Sequence, residues 1–279
     1  MNTQALSTTT GNAFLAQLFS LAGRVALVTG GGTGLGNYMA QALHRAGAKV
    51  VLVGRDLPRL QQGAEEVLAA SEQNTPPHAA DTSVACVAWD VSQLDTLPHL
   101  VKEAARPFGM PDILINAAGL NPRRSWDAVD PALWEYVLRL NLSAPFFLAK
   151  ALIPSMQDKG WGRIINVASL QASRAFVNGA PYGASKGGVA QLTRAMAEAW
   201  SCPESAITAN AIAPGFFKTS LTATLFNDPK TVQALEKQTM FHRIGLAQDI
   251  QGLTVFLAAP ASDYLTGQVI YLDGGWSAK

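Results

Sequence analysis

The run Val25-Ala26-Leu27-Val28-Thr29-Gly30-Gly31-Gly32-Thr33-Gly34-Leu35-Gly36 decides the fold. Its first half is apolar and β-branched, which reads as a short buried strand. Glycines then interrupt regular structure, and helical patterning resumes from Asn37 to Ala46. Strand, glycine turn and helix in that order form a nucleotide-binding βα unit. A backbone without side chains admits a pyrophosphate, and the first N–H groups of the helix face it. The spacing is G-x-x-x-G-x-G on Gly30, Gly34 and Gly36. The common dinucleotide fingerprint G-x-G-x-x-G does not fit this register. A glycine turn that holds no ligand is the competing reading.

Working outward, strands and helices alternate to the end of the chain. Further strands are expected at Lys49 to Val53, Val84 to Asp90, Asp112 to Ile115, Gly162 to Ser169, Ile207 to Ile212 and Gln268 to Leu272. A long helix is expected from Pro131 to about Met156, and another from Gln248 to Ala258. The alternation predicts a single-domain α/β architecture, a doubly wound (Rossmann) parallel sheet of about seven strands with helices on both faces. Residues 1–20 are assigned to an N-terminal tail, with 1–13 disordered or loosely docked, and 21–279 to the dinucleotide-binding and catalytic domain. Ser220 to Arg243 breaks the βα rhythm, so 215–245 is expected to form a substrate lid.

Composition excludes several function classes. The chain has 279 residues, 48% hydrophobic and 15% charged, with a net charge of +1, which leaves no electrostatic footprint for nucleic acid or an anionic membrane. No apolar run approaches the roughly 18–20 residues of a membrane span. The apolar segment Phe14 to Ala22 lacks preceding basic residues and is short for a signal peptide. Cys86 and Cys202 match no zinc or redox spacing, so neither a metal site nor a disulfide framework is expected, and a reducing, cytoplasmic setting fits.

The chemistry-bearing stretch is Ala180-Pro181-Tyr182-Gly183-Ala184-Ser185-Lys186. On a helix, Tyr182 and Lys186 project from one face. A phenol titrates near 10, so proton transfer near neutrality needs a depression of roughly 3 units, or about 4 kcal/mol. A cation about 4.5 Å away at an effective dielectric of about 20 supplies roughly 3.5–4 kcal/mol. Lys186 is therefore expected to carry most of that effect. For a lone Y-x-x-x-K, a surface tyrosine beside a solvated lysine is the better reading. Other positions weigh against it here. Ser169 stands at a strand's carboxyl end, where open α/β sheets bind ligands. Asn141 lies in an apolar helix and needs hydrogen-bond partners, either in its own helix or a held water. After the second strand, Gly54-Arg55 replaces the acid that reads a ribose 2′-hydroxyl, which favours a 2′-phosphate and hence NADP(H), with NAD(H) as the alternative. Asp90 is placed to accept from an adenine amino group or to cap the following helix.

Together these pieces resemble the short-chain dehydrogenase/reductase family, over nearly the whole chain from Leu18. The matching elements are Thr29-Gly30-x-x-x-Gly34-x-Gly36, Asn116-Ala117-Ala118-Gly119, Asn141, Ser169, Tyr182-x-x-x-Lys186 and Pro214-Gly215. Ala117 stands where a second Asn is frequent, and Thr33 replaces the basic residue of many NADP-dependent members. The resemblance implies that Tyr182 is the general acid/base and that Ser169 bonds the substrate carbonyl. It implies that Lys186 depresses the phenol's pKa and holds the nicotinamide ribose, while Asn141 anchors a water in a relay to it. It places the cofactor against Gly30, Thr33, Gly34, Leu35, Gly36, Arg55, Asp90, Val91, Asn116, Ala117, Gly119, Tyr182, Lys186, Pro214, Gly215, Phe217 and Thr219, the last meeting the carboxamide.

The entry Leu18 to Val25, Pro214 to Thr219 and the pair Arg123-Arg124 look like the branch with gluconate 5-dehydrogenase-like enzymes. That branch implies a small carbonyl or alcohol substrate such as a sugar acid, met by Arg123 or Arg124, Gln171 and Phe216. A solvated rim is the alternative for the two arginines. Phe216, Phe217, Trp126 and Phe176 suit a bulkier apolar ketone instead, and many relatives, 3-oxoacyl-ACP reductases among them, reduce 3-oxoacyl thioesters. A catalytically silent nucleotide sensor on the same fold is the rival from another class. The family implies a homotetramer, for which Tyr264 to Tyr271 is apolar enough.

Overall fold

The computed structural model describes residues 9–72 and 83–279. The sequence Pro76-Pro77 predicts a loop, which lies outside the described residues, as do residues 1–8. In chain order the elements are α1 (Thr9–Phe19), β1 (Val25–Thr29), α2 (Gly34–Arg45), β2 (Lys49–Gly54), α3 (Leu57–Glu72), β3 (Val84–Ala88), α4 (Leu97–Ala105) and β4 (Ile113–Asn116). There follow α5 (Pro131–Leu138), α6 (Ala144–Asp158), β5 (Gly162–Val167), α7 (Ala180–Trp200), β6 (Ile207–Pro214), α8 (Ala223–Phe226), α9 (Pro229–Gln238), α10 (Ala247–Ala258) and β7 (Val269–Leu272). Among the described residues, seven strands form one sheet in the order β3-β2-β1-β4-β5-β6-β7. Every neighbouring pair is parallel.

Strand periodicity sorts the core into two layers. Val25, Leu27, Val51, Val53, Leu114 and Ile164 face one way, onto Leu97 and Leu100 of α4 and Leu148, Leu152 and Met156 of α6. Their alternates Ala26, Val28, Val50, Leu52, Ile113, Ile115 and Ile165 face the other way, onto Met39 and Leu43 of α2, Leu60 and Val67 of α3, and Ile250 and Leu257 of α10. Burial on both faces is why the central strands read as continuous apolar runs. The strand order reverses direction between β1 and β4, which opens a crevice beyond their carboxyl ends.

Three expectations change. Disorder does not describe residues 9–13, which open helix α1, although Phe14 and Leu15 on it stay exposed and only its end, at Phe19, packs on the α2 side of the core. The long helix is interrupted by a π-helical turn, Arg139–Ser143, that carries Asn141. Such turns re-aim side chains and recur at functional sites. The whole run Pro131–Asp158 is long and apolar enough, by length and composition, to cross a membrane. The apolar runs hid this because Arg139, Asn141 and Lys150 divide them. Here Leu148, Leu152 and Met156 are buried against the sheet, as in the core helix of a globular domain. Between β6 and α10, α8 and α9 form an excursion over the predicted lid, and a Phe217–Gly245 bridge closes its base.

Candidate active site

A cavity of about 400 Å³ opens above the switch point. It is lined from the turn after β1 (Gly30, Thr33, Gly34, Leu35, Gly36), the turn after β4 (Ala117, Gly119, Arg123), the end of β5 (Ser169, Gln171), α7 (Tyr182, Lys186) and the end of β6 (Pro214, Gly215, Phe216, Phe217, Thr219). Residues scattered through the sequence thus meet in one place because parallel strands deliver all their carboxyl ends to the same edge.

The glycine turn is a cradle that side chains would fill. Gly30 has φ +66°, and a Cβ there would lie 2.9 Å from the Ala118 backbone. A Cβ on Gly36 would lie 2.4 Å from the Gly30 carbonyl oxygen. Thr33, at the N-cap of α2, makes no side-chain cap, so the first N–H groups of the helix stay available to an anion. The donor set, a side-chain-free loop and an uncapped helix start, fits a pyrophosphate. Two residues outside the predicted cofactor set hold this cradle. Thr29 Oγ1 accepts from the N–H groups of Ala117 and Ala118 at 3.1 and 3.2 Å, fastening β1 to β4. Asn37, fully buried, donates to the carbonyls of Gly31 and Gly63 at 3.1 and 2.9 Å. Thr29 opens the quoted motif, and a lone Asn in an amphipathic helix signals Asn37.

Tyr182 and Lys186 sit on the first turns of α7, both buried. Lys186 Nζ lies 5.6 Å from the Tyr182 ring centroid, so the shared face is confirmed. The expected depression of the phenol is not. Burial pushes the Tyr182 phenol above its ordinary value, and a hydrogen bond with Ser169 and the charge of Arg123 pull it back down. Lys186 stands beside the phenol on the same helix face. Its Nζ donates to the Val167 carbonyl at 2.6 Å, and burial lowers its own pKa to about 8. Desolvation raises the phenol and lowers the ammonium, a cost that a Coulomb interaction between the two does not include.

Ser169 has extended backbone, and its Oγ accepts from Gln171 N at 3.2 Å. The Asn141 side chain reaches off its own helix. Its Oδ1 accepts from Leu120 N at 2.9 Å, and its Nδ2 donates to Leu120 O and Ser185 Oγ, each at 3.0 Å. Ser185, another residue the reading missed although it sits inside the Tyr–Lys motif, donates to the Tyr182 carbonyl at 2.7 Å. Asn141 therefore stitches the turn after β4 to the first turn of α7.

Other assignments separate. Arg123 lines the cavity, whereas Arg124 is exposed and does not. Arg123 has a left-handed backbone, φ 49°, with its N–H held by Asn121 Oδ1 at 3.3 Å. Phe176 and Phe216 line the cavity, but Trp126 is 79% exposed and lies outside it. The Asn116 side chain turns inward, donating to Asn166 Oδ1 at 2.9 Å, so it is a buried strut outside the cavity lining. Asp90 Oδ1 accepts from Ser92 N and Oγ at 2.9 and 2.8 Å, an Asx turn ahead of the helical turn Leu94–Thr96, whose N-cap is Gln93, so Asp90 does not cap it. Neither Asp90, Val91 nor Arg55 lines this cavity; Arg55 is exposed beyond β2 and donates to Tyr136 Oη at 3.2 Å. Thr219 packs over the glycine turn, where a Gly34 Cβ would lie 3.2 Å from its Cβ. Both cysteines are free, and the described residues hold no cluster suited to a metal ion.

Comparison with known proteins agrees with this geometry. A family profile described as Enoyl-(Acyl carrier protein) reductase matches residues 30–277. The chain is 36% identical over 258 residues to gluconate 5-dehydrogenase of Gluconobacter oxydans (strain 621H), covering 92% of this chain and 96% of that one. It is 36% identical over 262 residues to 2-dehydro-3-deoxy-D-gluconate 5-dehydrogenase of Escherichia coli (strain K12), covering 94% and 98%. Among solved structures, a gluconate 5-dehydrogenase from Burkholderia cenocepacia J2315 in complex with NADP and tartrate superposes with a TM-score of 0.84 at 34% identity, covering 95% of this chain and 99% of that one.

The Lys186 shift makes a stability prediction. The unfolded chain keeps this proton up to the ordinary value of 10.5, while the folded chain releases it near 8. Between those values the unfolded state binds more protons, so this group's contribution to stability rises with pH across that window. The difference in denaturant stability between the native chain and Lys186→Met should therefore shift in favour of the native chain from pH 8 to pH 10.5. A difference independent of pH contradicts the assignment.

Proposed function

The chain belongs to the short-chain dehydrogenase/reductase family, and we propose that it transfers hydride between NADP(H) and the carbonyl or secondary alcohol of a sugar acid of the gluconate and 5-ketogluconate kind. The observation that carries this reading is that Ser169, Tyr182 and Arg123 share one cavity with the glycine cradle. NADP(H) is supported by Arg55 following Gly54 where an acid would reject the 2′-phosphate, and by the NADP in the Burkholderia relative. A sugar acid is supported by the names of the relatives, and by tartrate, a dicarboxylate, in that same structure.

Bound in the cradle, the nicotinamide supplies or accepts the hydride. The chain's own residues manage the proton. In the reducing direction Tyr182 gives its hydroxyl proton to the substrate oxygen as negative charge develops there, and solvent restores it. Ser169 donates a hydrogen bond to the same oxygen, a preorganised contact worth most where charge appears. In the oxidising direction Tyr182 takes the proton back. Lys186, a cation below about pH 8, would hold the ribose hydroxyls. Asn141 acts through Leu120 and Ser185 as a positioning residue, and a water held beside it completes a relay to Lys186. Arg123 takes the substrate carboxylate as a charge-assisted pair. A second reading, a bulky apolar ketone, is favoured by Phe176 and Phe216, which line the same cavity. A homotetramer belongs to the same proposal, supported by Trp134 and Phe147, exposed on α5 and α6; a monomer by light scattering contradicts it.

Steady-state assays with NADPH separate these readings, using 5-keto-D-gluconate and the neutral ketone 4-phenyl-2-butanone. Tyr182→Phe should lower kcat by about 10²–10⁴-fold on whichever ketone is turned over, with NADPH binding retained. Near-normal kcat contradicts its role as the proton donor. Arg123→Ala should raise KM for the acid by roughly 10–100-fold, the loss of a charged hydrogen bond of about 1.5–3 kcal/mol. Loss of the pull on Tyr182 falls on kcat for both ketones alike. An equal rise in KM on both contradicts the carboxylate clamp.

A further inference from the structure

The turn after β7 lies between the two walls of the cavity. A Cβ on Gly215 would sit 2.7 Å from Asp273 Cα, so this turn packs directly on the bend that ends β6. Asp273 fixes the turn itself, with Oδ1 accepting from Gly275 N and Oδ2 from Ser277 N, each at 2.9 Å. From there the last residues reach in two directions.

Toward the lid, Trp276 Nε1 donates to Gln238 Oε1 at the end of α9, at 2.8 Å. Lys279 Nζ donates to the carbonyls of Lys237 and Thr239 at 3.2 and 3.3 Å, satisfying acceptors that the end of α9 leaves open. Met240 N donates to the Gly274 carbonyl at 2.8 Å. Toward the loop before α7, the Trp276 ring stacks on Phe176, with centroids 5.5 Å apart and planes at 24°. It meets Phe216 edge-on at 6.4 Å, and Arg174 Nη2 donates to the Ser277 carbonyl at 3.4 Å. Phe176 and Phe216 line the cavity, whereas Trp276 stands behind them.

We propose that Trp276 is a specificity-determining positioning residue, which sets the width of the substrate end by holding Phe176, Phe216 and the end of α9 at fixed separation. Aromatic rings packed at these distances prefer defined offsets, so a large ring behind the wall fixes the two in front. Without it, the wall has room to retreat and the lid loses its tie. The consequence for substrate choice rests on the hydride-transfer reading above; the mechanical role does not.

The experiment uses the full chain loaded with NADP+, as Trp276→Ala and Trp276→Phe. Amide hydrogen exchange should rise about tenfold in residues 170–179 and 229–245 of Trp276→Ala, with residues 25–45 unchanged. In Trp276→Phe, which keeps the stacking and loses the Nε1 donor, only 229–245 should respond. In the assay with NADPH, kcat/KM for 4-phenyl-2-butanone relative to butanone should rise about tenfold in Trp276→Ala, through KM. Exchange that rises only in 273–279, or uniformly through 25–45 as well, overturns the proposal. So does a rise at 170–179 in Trp276→Phe equal to that in Trp276→Ala, or an unchanged ketone ratio. No turnover of any ketone by the native chain counts against the hydride-transfer reading alone, and the exchange result then decides this proposal by itself.

Discussion

The site depends on Ser169 and Tyr182 facing one cavity, although they come from two parts of the chain that have no local reason to meet. Ser169 hangs from the carboxyl end of β5, and Tyr182 opens α7 after an intervening loop. Both are held from behind. Asn166 on β5 accepts from Asn116 on β4 and donates to Thr193 on α7, so neighbouring strands and the helix share one buried polar chain. Asn141 and Ser185 repeat the device one turn from the phenol. Such networks are costly when incomplete and fix a unique arrangement when satisfied. The sheet delivers the pair, and the polar struts hold it to the tolerance that proton transfer needs.

Burial also reshapes the electrostatics. A phenol and an ammonium taken out of water both resist charging, and each moves toward its neutral form. The downward pull on Tyr182 comes from the Ser169 hydroxyl and from Arg123 across the cavity. Arg123 thereby links recognition to chemistry, because the charge proposed to receive a carboxylate is one that the phenol feels. Its left-handed backbone, uncommon for a residue with a side chain, fits a position constrained by function.

The sheet was legible because each of its strands is a short apolar run bounded by glycine, proline or polar residues. The glycine cradle and the Tyr182–Lys186 pair were legible because spacing alone puts their atoms on one face. Adjacent arginines were not separable: Arg123 and Arg124 share their chemistry, and only a backbone angle sends one inward. The inward turn of Asn116 depends on Asn166, a neighbour contributed by the next strand. The size of the Tyr182 shift depends on desolvation, which has no sequence pattern. Trp276 stacks on Phe176, which lies on a loop distant in sequence, and no periodicity connects them. Helix α1 escaped notice because its apolar residues sit beside a polar, Thr-rich run.

Carbon-13 NMR titration of the phenol ring carbon tests this account most directly. The chain has five tyrosines, and Tyr182→Phe assigns the signal of interest. Ser169→Ala and Arg123→Gln should each move the Tyr182 titration to higher pH than in the native chain. A Tyr182 titration unchanged in both variants contradicts it.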